Sequence, residues 1–302
     1  MPNSKPTKAP LPAAQSLSSV LRCPRGPVDV ASFNTAATPL FAGHGKKDAA
    51  DADAAVEAVL VDLQERLFAN AHVDDTTTPG AASKPAGSVL LVLQGMDTAG
   101  KGGVVKHVIG MVDPQGVSIR AFKAPTAEER AHDFLWRVRN ALPTPGMIGI
   151  FDRSHYEDVL IQRVESMAPA EEIEARYGLI NDFEREVSES GTRIIKCFLN
   201  VSKETQKKRL TARLDDPTKY WKYNPGDLAV RSKWADYMVA YGLALTRCNQ
   251  DFAPWYVIPS DHKWYRNWAI AQILLETLQD MDLTWPKPTF SVAAEKARVK
   301  AS

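Results

Sequence analysis

Cysteine is scarce in this sequence of 302 residues, which contains only three, at Cys23, Cys197 and Cys248. They lie far apart and show none of the close paired spacings that structural zinc sites use. The scarcity argues against a framework of disulfides and is typical of proteins from a reducing compartment. We therefore predict a cytoplasmic location, with Cys197 as an ordinary core residue.

The sequence also lacks long apolar runs and an excess of charge of either sign. No stretch approaches the length of about 20 apolar residues that a membrane-spanning helix needs. The N-terminal region has no continuous apolar segment of the signal-peptide type. Lysine and arginine total 37 against 36 aspartates and glutamates. We therefore expect neither a membrane nor a nucleic acid as partner, and any basic site must be local.

Proline and apolar periodicity divide the chain into three parts. Residues 1–48 hold seven of the 20 prolines and predict an extended or partly disordered arm that wraps the core or a neighbouring subunit. Periodic apolar residues then predict a helix over 51–70 at the start of a core domain that spans 49–285. The polar residues 286–302 predict a loose tail.

Short apolar runs alternate with helical patterns through the core domain. Branched apolar residues predict five strands, at 89–93, 117–122, 147–151, 193–201 and 255–258. This alternation predicts an α/β fold with a parallel sheet covered on both faces and ligands at the carboxyl ends of the strands. Capping boxes predict that one helix begins at Thr126 and continues to Pro143, and that another begins at Ser154 with Glu157 as its partner.

A glycine-rich segment joins the first strand to the helix after it. Gly95-Met-Asp-Thr-Ala-Gly-Lys101 has the spacing of a phosphate-binding loop, in which backbone N–H groups and a lysine surround an anion. The alternative is a glycine-rich turn with an incidental lysine. The strand–loop–helix order favours phosphate binding by Lys101 and by the other loop positions. Those positions are Gly95, Met96, Thr98, Ala99, Gly100, Gly102 and Gly103.

The loop departs from the usual pattern at one position. The serine or threonine that normally follows the lysine and binds Mg²⁺ is Gly102 here, and Asp97 inside the loop is the obvious substitute. A second acid, Asp152, ends the third predicted strand and could reach a metal ion beside the phosphates. Arg153 follows it with a planar group suited to phosphate oxygens. The alternative for Asp152 is a buried acid that caps the next helix.

Basic residues are concentrated in one segment of this otherwise neutral chain. Residues 203–233 contain nine lysines and arginines against four acids. The prolines of this segment predict a loop over 215–225 between helical stretches. We therefore predict a mobile, largely helical lid over about 205–232 that closes on phosphates and excludes water. A solvated charged helix is the alternative and suits the first lysines best. The basic residues that we assign to phosphate are Arg209, Arg213, Lys219 and Lys222.

Several motifs together resemble the polyphosphate kinase 2 family over residues 55–285, although no single one would be specific. They are Gly95-Met-Asp-Thr-Ala-Gly-Lys-Gly-Gly103, Phe122-Lys-Ala-Pro-Thr126, His132-Asp-Phe-Leu-Trp-Arg137, Phe151-Asp-Arg-Ser-His-Tyr-Glu157, Ala212-Arg-Leu-Asp-Asp-Pro-Thr-Lys-Tyr-Trp-Lys222 and Ala253-Pro-Trp-Tyr-Val-Ile-Pro-Ser-Asp-His-Lys-Trp264.

The resemblance implies a fold, an activity and a cofactor. The implied fold is a thymidylate-kinase-like P-loop kinase, a three-layer α/β sandwich with a five-stranded parallel sheet and a helical basic lid. The implied reaction transfers phosphoryl groups reversibly between inorganic polyphosphate and ADP or AMP, with Mg²⁺ or Mn²⁺. The run Tyr-Glu-Asp-Val-Leu at 156–160 looks like the class III type, which accepts AMP as well as ADP. A homo-oligomer, dimer or tetramer, is also implied.

The resemblance completes the set of candidate site residues. Asp97 and Asp152 would bind the metal, and Lys101, Arg153 and Arg213 would act on the transferring phosphoryl group. Lys123, Lys263 and Arg266 are candidates for polyphosphate contacts, and Arg137 and Glu157 for the acceptor nucleotide. Two other functions stay open at this point: an ATP-dependent nucleoside or nucleotide kinase on the same fold, and a module that binds polyphosphate or nucleotide without catalysis.

Overall fold

A computed structural model describes residues 15–72 and 87–302, and its centre is a five-stranded parallel sheet. The spatial order of the strands is β2-β3-β1-β4-β5. Their bounds are β1 Ser88–Gln94, β2 Val117–Ala121, β3 Ile148–Asp152, β4 Thr192–Asn200 and β5 Trp255–Pro259. All five strands predicted from the sequence are therefore confirmed, with ends that differ by at most one residue.

The central strand β1 is flanked by β3 and β4, and this arrangement positions the site. All seven residues of β1 are buried, as expected for a strand covered on both faces. In the register of the sheet Leu93 pairs with Asp152. The loop that follows β1 and the acid that ends β3 therefore leave the sheet side by side, at the edge where parallel α/β sheets bind ligands.

Two groups of helices cover the sheet and make three layers with it. The α-helices are α1 Leu17–Leu21, α2 Lys46–Ala71, α3 Lys101–His107, α4 Ala127–Arg130, α5 Trp136–Arg139, α6 Ile161–Val164, α7 Ala170–Glu189, α8 Lys203–Leu214, α9 Gly226–Ser232, α10 Trp234–Arg247, α11 Lys263–Gln279 and α12 Val292–Ala301. Helix α11 packs against α2 and α3, whereas α6 packs against α7 and α10. In the described part of the chain no helix is long and apolar enough to span a membrane.

The helix predicted from Thr126 to Pro143 is wrong in its length. The capping box at Thr126 and Glu129 is present, but helix α4 ends after one turn and α5 begins at Trp136. The side chain of Asp133 accepts a hydrogen bond from the amide of Leu135, and its carbonyl accepts one from Trp136. Such local bonds compete with the helical pattern and restart the chain in a new turn.

The second predicted capping box is also wrong. Ser154 does begin a helical turn, but its hydroxyl accepts from the amide of Tyr156 rather than from that of Glu157. The turn is a short 3₁₀ helix over His155–Asp158, and α6 follows it separately. Glu157 is therefore not used as the reciprocal partner of a cap.

The described part of the N-terminal arm packs against the core of its own chain. The amides of Leu17 and Ser18 donate to the carboxylate of Glu276 on α11, and the backbone of Arg22 forms an antiparallel β-bridge with Tyr256 of β5. Residues 71–87 are rich in threonine, proline, glycine and alanine, which predicts a flexible connection, and they lie largely outside the described residues. The tail predicted as loose contains α12, a helix with no buried residue.

Candidate active site

The glycine-rich segment forms a tight loop between β1 and α3. Its backbone enters the left-handed region at Gly95, Thr98 and Gly100, with φ of 154°, 64° and 117°. Glycine adopts such angles freely, whereas a residue with a β-carbon loses about 1–2 kcal/mol there. The Nζ atom of Lys101 donates to the carbonyl of Gly95 at 2.7 Å. The lysine therefore reaches back across the loop, as the phosphate-loop pattern predicts.

Lys101 lies at the centre of the charged groups of the site. Burial and the nearby Arg153 lower the pKa of Lys101 below its usual value. Three carboxylates act in the opposite direction and favour its charged form; they are Asp97, Asp152 and Glu157. The structure thus brings together the loop lysine, both predicted metal ligands, Arg153 and the predicted acceptor residue.

Arg153 links the loop to the end of β3. Its Nη2 atom donates to Oδ1 of Asp97 at 3.1 Å, and its amide donates to the carbonyl of Leu93. Burial disfavours its charged form, but Glu157, Asp97 and Asp152 raise the pKa of Arg153 above its usual value. Arg153 has a φ of 64°, an angle that costs an ordinary residue about 1–2 kcal/mol. Its surroundings must therefore hold it in place.

Glu157 is half-buried beside these charges. Burial raises the pKa of Glu157 above its usual value, while Arg153 and Lys101 act against the rise. The carboxyl group therefore sits where its charge depends on neighbouring cations. That situation is typical of groups that meet substrate.

Two arginines contact the carbonyl side of the phosphate loop. Arg209 of α8 donates to the carbonyls of Thr98 and Ala99 and also to those of Ser260 and Asp261. Arg266 of α11 is 2% exposed and donates to Ala99 at 2.8 Å. Both were predicted to contact polyphosphate. In the structure both bind the loop backbone, and their contact with polyphosphate stays a prediction.

Arg266 also explains a glycine that has no unusual backbone angle. A β-carbon at Gly103 would lie 2.7 Å from Nη2 of Arg266, closer than ordinary packing allows. At Gly102 a β-carbon would meet no atom within 4 Å. Packing therefore does not explain why Gly102 replaces the usual serine or threonine, because the space around its α-carbon is open.

Further cations gather between the lid and the start of α11. Burial lowers the pKa of Lys263, and neighbouring cations lower it further. Those neighbours are Arg209, Arg266, Lys219 and Arg213. We call these five residues the cation cluster. Among the described residues Lys263, Arg209 and Arg266 form no ion pair with a carboxylate, so the cluster concentrates positive charge.

The lid residues of this cluster are held by local contacts. Arg213 donates to the carbonyl of Lys222 at 2.8 Å and lies 3.5 Å from the carboxylate of Asp227. Lys219 pairs with Asp216 at 2.6 Å, and the Nζ atom of Lys222 lies 4.8 Å from the centre of the Trp221 ring. These contacts order the lid without using all of its charge.

Two predicted residues near β2 serve the fold in this structure. Lys123 is exposed, and its carbonyl accepts from Nη1 of Arg137 at 2.9 Å. Arg137 is 9% exposed and also contacts Glu129 at 3.4 Å. Its contacts support the turn after β2. Direct contact of either residue with substrate stays a prediction.

Sequence reasoning missed Asp227 and a buried polar group behind the site. Burial raises the pKa of Asp227, and the charge of Asp97 raises it further, so this lid acid lies near the loop. Lys196 is fully buried in β4, and Glu184 in α7 is 1% exposed. A lysine within the apolar run of β4 and an acid on the apolar face of a helix are signals that buried partners must exist.

The acids of the site fit a magnesium ion rather than a metal held by protein ligands alone. In residues 15–72 and 87–302 no group of three or more histidines, cysteines or acids is placed to hold a metal. Mg²⁺ commonly binds one or two carboxylates and takes its other ligands from phosphate and water. Asp97 and Asp152 provide such a pair, and both act on Lys101.

Comparison with known proteins agrees with this geometry. The sequence model of polyphosphate kinase 2 matches residues 55–286. An AMP/ADP-polyphosphate phosphotransferase of Meiothermus ruber is 41% identical over 273 residues, which cover 90% of this chain and 96% of the relative. An ADP-polyphosphate phosphotransferase of Rhodopseudomonas palustris is 40% identical, over 76% of this chain and 79% of the relative.

A solved structure extends the similarity to the whole fold. The crystal structure of polyphosphate kinase 2 from Arthrobacter aurescens superimposes with a TM-score of 0.88 at 50% identity, covering 98% of this chain and all of that one. This similarity confirms the predicted P-loop kinase fold. Because the family model matches well over half of the sequence and two relatives align over most of their length, this chain belongs to the polyphosphate kinase 2 family.

Proposed function

We propose that this chain transfers phosphoryl groups between inorganic polyphosphate and nucleotides, with ADP and AMP as acceptors. The observation that carries the proposal is the cation cluster beside the phosphate loop, where burial and then the neighbouring cations lower the pKa of Lys263. Like charges held close together repel, and a polyanion removes that repulsion. Polyphosphate has no base or sugar to recognise, so charge is the natural means of binding it.

The names of the relatives support the same assignment. The two that align over most of their length are named as phosphotransferases that join polyphosphate to AMP and ADP or to ADP. The residues Tyr156 and Glu157 carry the resemblance to the type that accepts AMP. We therefore propose AMP as a second acceptor, with Glu157 among the residues that bind the acceptor nucleotide.

Catalysis on this proposal consists of positioning and charge neutralisation. Lys101 leaves the carbonyl of Gly95 and binds a phosphate oxygen, while loop amides bind its neighbours. Arg153 and Arg213 neutralise charge on the transferring group. Phosphoryl transfer needs little covalent help from protein groups, so correct placement and a water-excluding lid account for most of the rate.

Mg²⁺, or Mn²⁺ in its place, fits the acids of this site. Asp97 and Asp152 would hold the ion, which when bound neutralises phosphate oxygens of donor and acceptor. The ion pair of Asp97 with Arg153 then has a clear purpose. It orients the aspartate before the ion and its phosphates arrive.

We assign the basic residues to two roles. Lys219, Lys222 and Lys263 would bind the polyphosphate chain. The contacts of Lys219 with Asp216 and of Lys222 with Trp221 are local and exposed, so phosphate oxygens can replace them. Arg209 and Arg266 act through the loop, because their guanidinium groups already donate to its carbonyls. Their positive charge still contributes to the field that attracts the polyanion.

One assay tests the function directly. The protein is incubated with Mg²⁺, long-chain polyphosphate and either ADP or AMP, without ATP, and ATP or ADP formation is followed. Product in both reactions supports the proposal. Product only from ATP with a nucleoside or nucleotide as acceptor would favour an ATP-dependent kinase, and binding without turnover would favour a module that only binds.

Two further parts of the proposal concern the setting of the enzyme. We propose a cytoplasmic location, in keeping with three free buried cysteines. We also propose a dimer or tetramer of identical chains. Light scattering of the purified protein gives the mass in solution and would contradict this part if it returned the mass of one chain.

A further inference from the structure

Four buried polar side chains form a connected group behind the active site. We call them the tetrad: His155, Tyr156, Glu184 and Lys196, each no more than 1% exposed. They come from three parts of the fold, namely the turn after β3, helix α7 and the buried strand β4.

Hydrogen bonds join all four members. Lys196 donates from Nζ to Glu184 Oε2 at 2.5 Å, to the hydroxyl of Tyr156 at 2.8 Å and to the carbonyl of Cys248 at 2.6 Å. The hydroxyl of Tyr156 donates to Oε1 of Glu184 at 2.8 Å, and Nε2 of His155 lies 3.2 Å from the same oxygen. Every donor of the lysine is therefore used.

Stability alone is a poor reason for such a group. Burial favours the neutral form of Glu184, yet Lys196 and His155 hold the pKa of that carboxyl below its usual value. Buried ion pairs gain little over apolar side chains of the same size, because both charges must leave water. A buried ion pair with hydrogen bonds does constrain the local geometry, because each bond fixes the position of the group that it contacts.

The position of the tetrad shows which groups it fixes. His155 and Tyr156 begin two residues after Arg153, which has the strained φ of 64°, and they immediately precede Glu157. Between them and Arg153 lies Ser154, whose hydroxyl accepts from Nε2 of Gln94 at 3.1 Å. The strand β3 holds the turn on one side, and the tetrad holds it on the other.

We propose that the tetrad is a positioning device for the reaction, which holds the strained turn so that Arg153 and Glu157 face the substrates. The inference rests on the proposed function for the roles of those two residues. The tetrad itself touches no substrate. Its members act through the turn, and the hydroxyl of Tyr156 joins the turn to both Lys196 and Glu184.

The substitution Tyr156→Phe tests this assignment with the smallest change. It keeps the ring, which packs against Trp255 with centroids 4.7 Å apart, and removes only the bridging hydroxyl. Ile180→Val is the matched control, because it removes one methylene from a fully buried residue of the same helix as Glu184. Both are assayed well below the melting temperature of the less stable variant.

We expect Tyr156→Phe to lower kcat at least about tenfold and to weaken ADP binding at least about threefold, the scale of a lost buried hydrogen bond. The KM for polyphosphate should stay within about twofold of the wild-type value, because the lid and the cation cluster are unchanged. The control keeps all three values within about twofold. A merely structural role would leave kcat near that of the wild type in every folded variant, and that result would overturn the proposal. An equal loss in Ile180→Val would also overturn it.

Two provisions keep the test decisive. If Tyr156→Phe does not fold, His155→Asn replaces it, since this change removes only the 3.2 Å contact with Glu184 and leaves the buried pair of Glu184 and Lys196 intact. If the wild type makes no product from polyphosphate, the proposed function fails, and the tetrad is judged by ADP affinity measured by calorimetry. Unchanged affinity in the variant would then overturn the positioning role as well.

Discussion

Arg266 lies so close to Gly100 that a β-carbon at position 100 would fall 1.7 Å from its Nη1 atom. The guanidinium group occupies the space that a side chain on the loop would need and donates to the neighbouring carbonyl of Ala99. The glycines of the loop therefore serve two purposes. Gly100 allows a left-handed turn, and Gly100 and Gly103 together admit the arginine that supports the loop.

This relationship predicts the effect of a methyl group at position 103. In Gly103→Ala the β-carbon would lie 2.7 Å from Nη2 of Arg266, whose side chain is buried and has little room to move. We expect turnover to fall at least about tenfold as the loop is displaced. Gly110→Ala is the control, because a β-carbon there meets no atom within 4 Å. Steady-state kinetics of the two variants compare them, and equal activity would contradict the packing argument.

The cation cluster predicts a selective loss of polyphosphate binding. Replacement of Lys219 and Lys263 together by glutamine should raise the KM for polyphosphate about tenfold, equivalent to about 1.4 kcal/mol. The KM for ADP should stay within about twofold. The dependence of polyphosphate KM on salt should also become shallower, because fewer screened contacts remain.

Lys296→Gln provides the control for this pair. Lys296 lies on α12, which has no buried residue, so the loss of its charge leaves the site intact. We expect unchanged kinetics and salt dependence. A rise in the KM for ADP equal to that for polyphosphate in the double variant would instead indicate general damage to the site.

The position of Glu157 predicts that its replacement affects catalysis with AMP more than catalysis with ADP. Glu157→Gln keeps the shape of the side chain and removes the charge that burial already opposes. We expect kcat/KM for AMP to fall at least about tenfold and that for ADP to fall less, since the proposed contact is to the acceptor that lacks the second phosphate. Rates with each acceptor at saturating polyphosphate provide the comparison. Equal losses for AMP and ADP would remove Glu157 from acceptor choice.

Asp158 predicts a pH dependence of stability. Burial raises the pKa of Asp158 from 3.8 to about 6, with Glu157 acting in the same direction and Arg176 and Arg137 against it. The folded protein therefore binds the proton more tightly than the unfolded chain. The free energy of unfolding falls as pH rises from about 4 to about 6, and the loss stays constant above that range.

Asp158→Asn should remove this penalty. At pH 8 the variant should be more stable than the wild type by on the order of 1–3 kcal/mol, reduced by any loss of contact with Arg176. At pH 4 the advantage should vanish, because the wild-type carboxyl is protonated in the folded state. Denaturant unfolding at both pH values measures the difference. An advantage that is equal at pH 4 and pH 8 would contradict the assignment.

Local sequence signals were sufficient for the sheet and for the acids at its edge. Branched apolar runs specify buried strands, and Asp152 follows such a run directly, so its place at the carboxyl end of β3 could be predicted. The phosphate loop likewise has a spacing that reflects its backbone geometry. In these cases the residues that form the feature are adjacent in sequence, so the sequence pattern is sufficient to predict it.

Contacts between distant segments set the limits of prediction. Arg266 is 167 residues from Ala99 in sequence, and nothing near position 266 shows that its partner is a loop carbonyl rather than a phosphate. Asp227 approaches Asp97 only because the lid folds over the loop. The prediction of one long helix from Thr126 was wrong for a local reason, because Asp133 begins a competing turn.

The most direct test of the proposed reaction compares ATP formation from polyphosphate and ADP by the wild type and by Asp97→Asn, at saturating Mg²⁺ and without added ATP. We expect clear turnover by the wild type. We expect at least about a hundredfold loss in the variant, the scale expected when a charged ligand is removed from a phosphoryl-transfer site. Absence of product with the wild type would contradict the proposed function, and equal turnover by both proteins would contradict the role of Asp97.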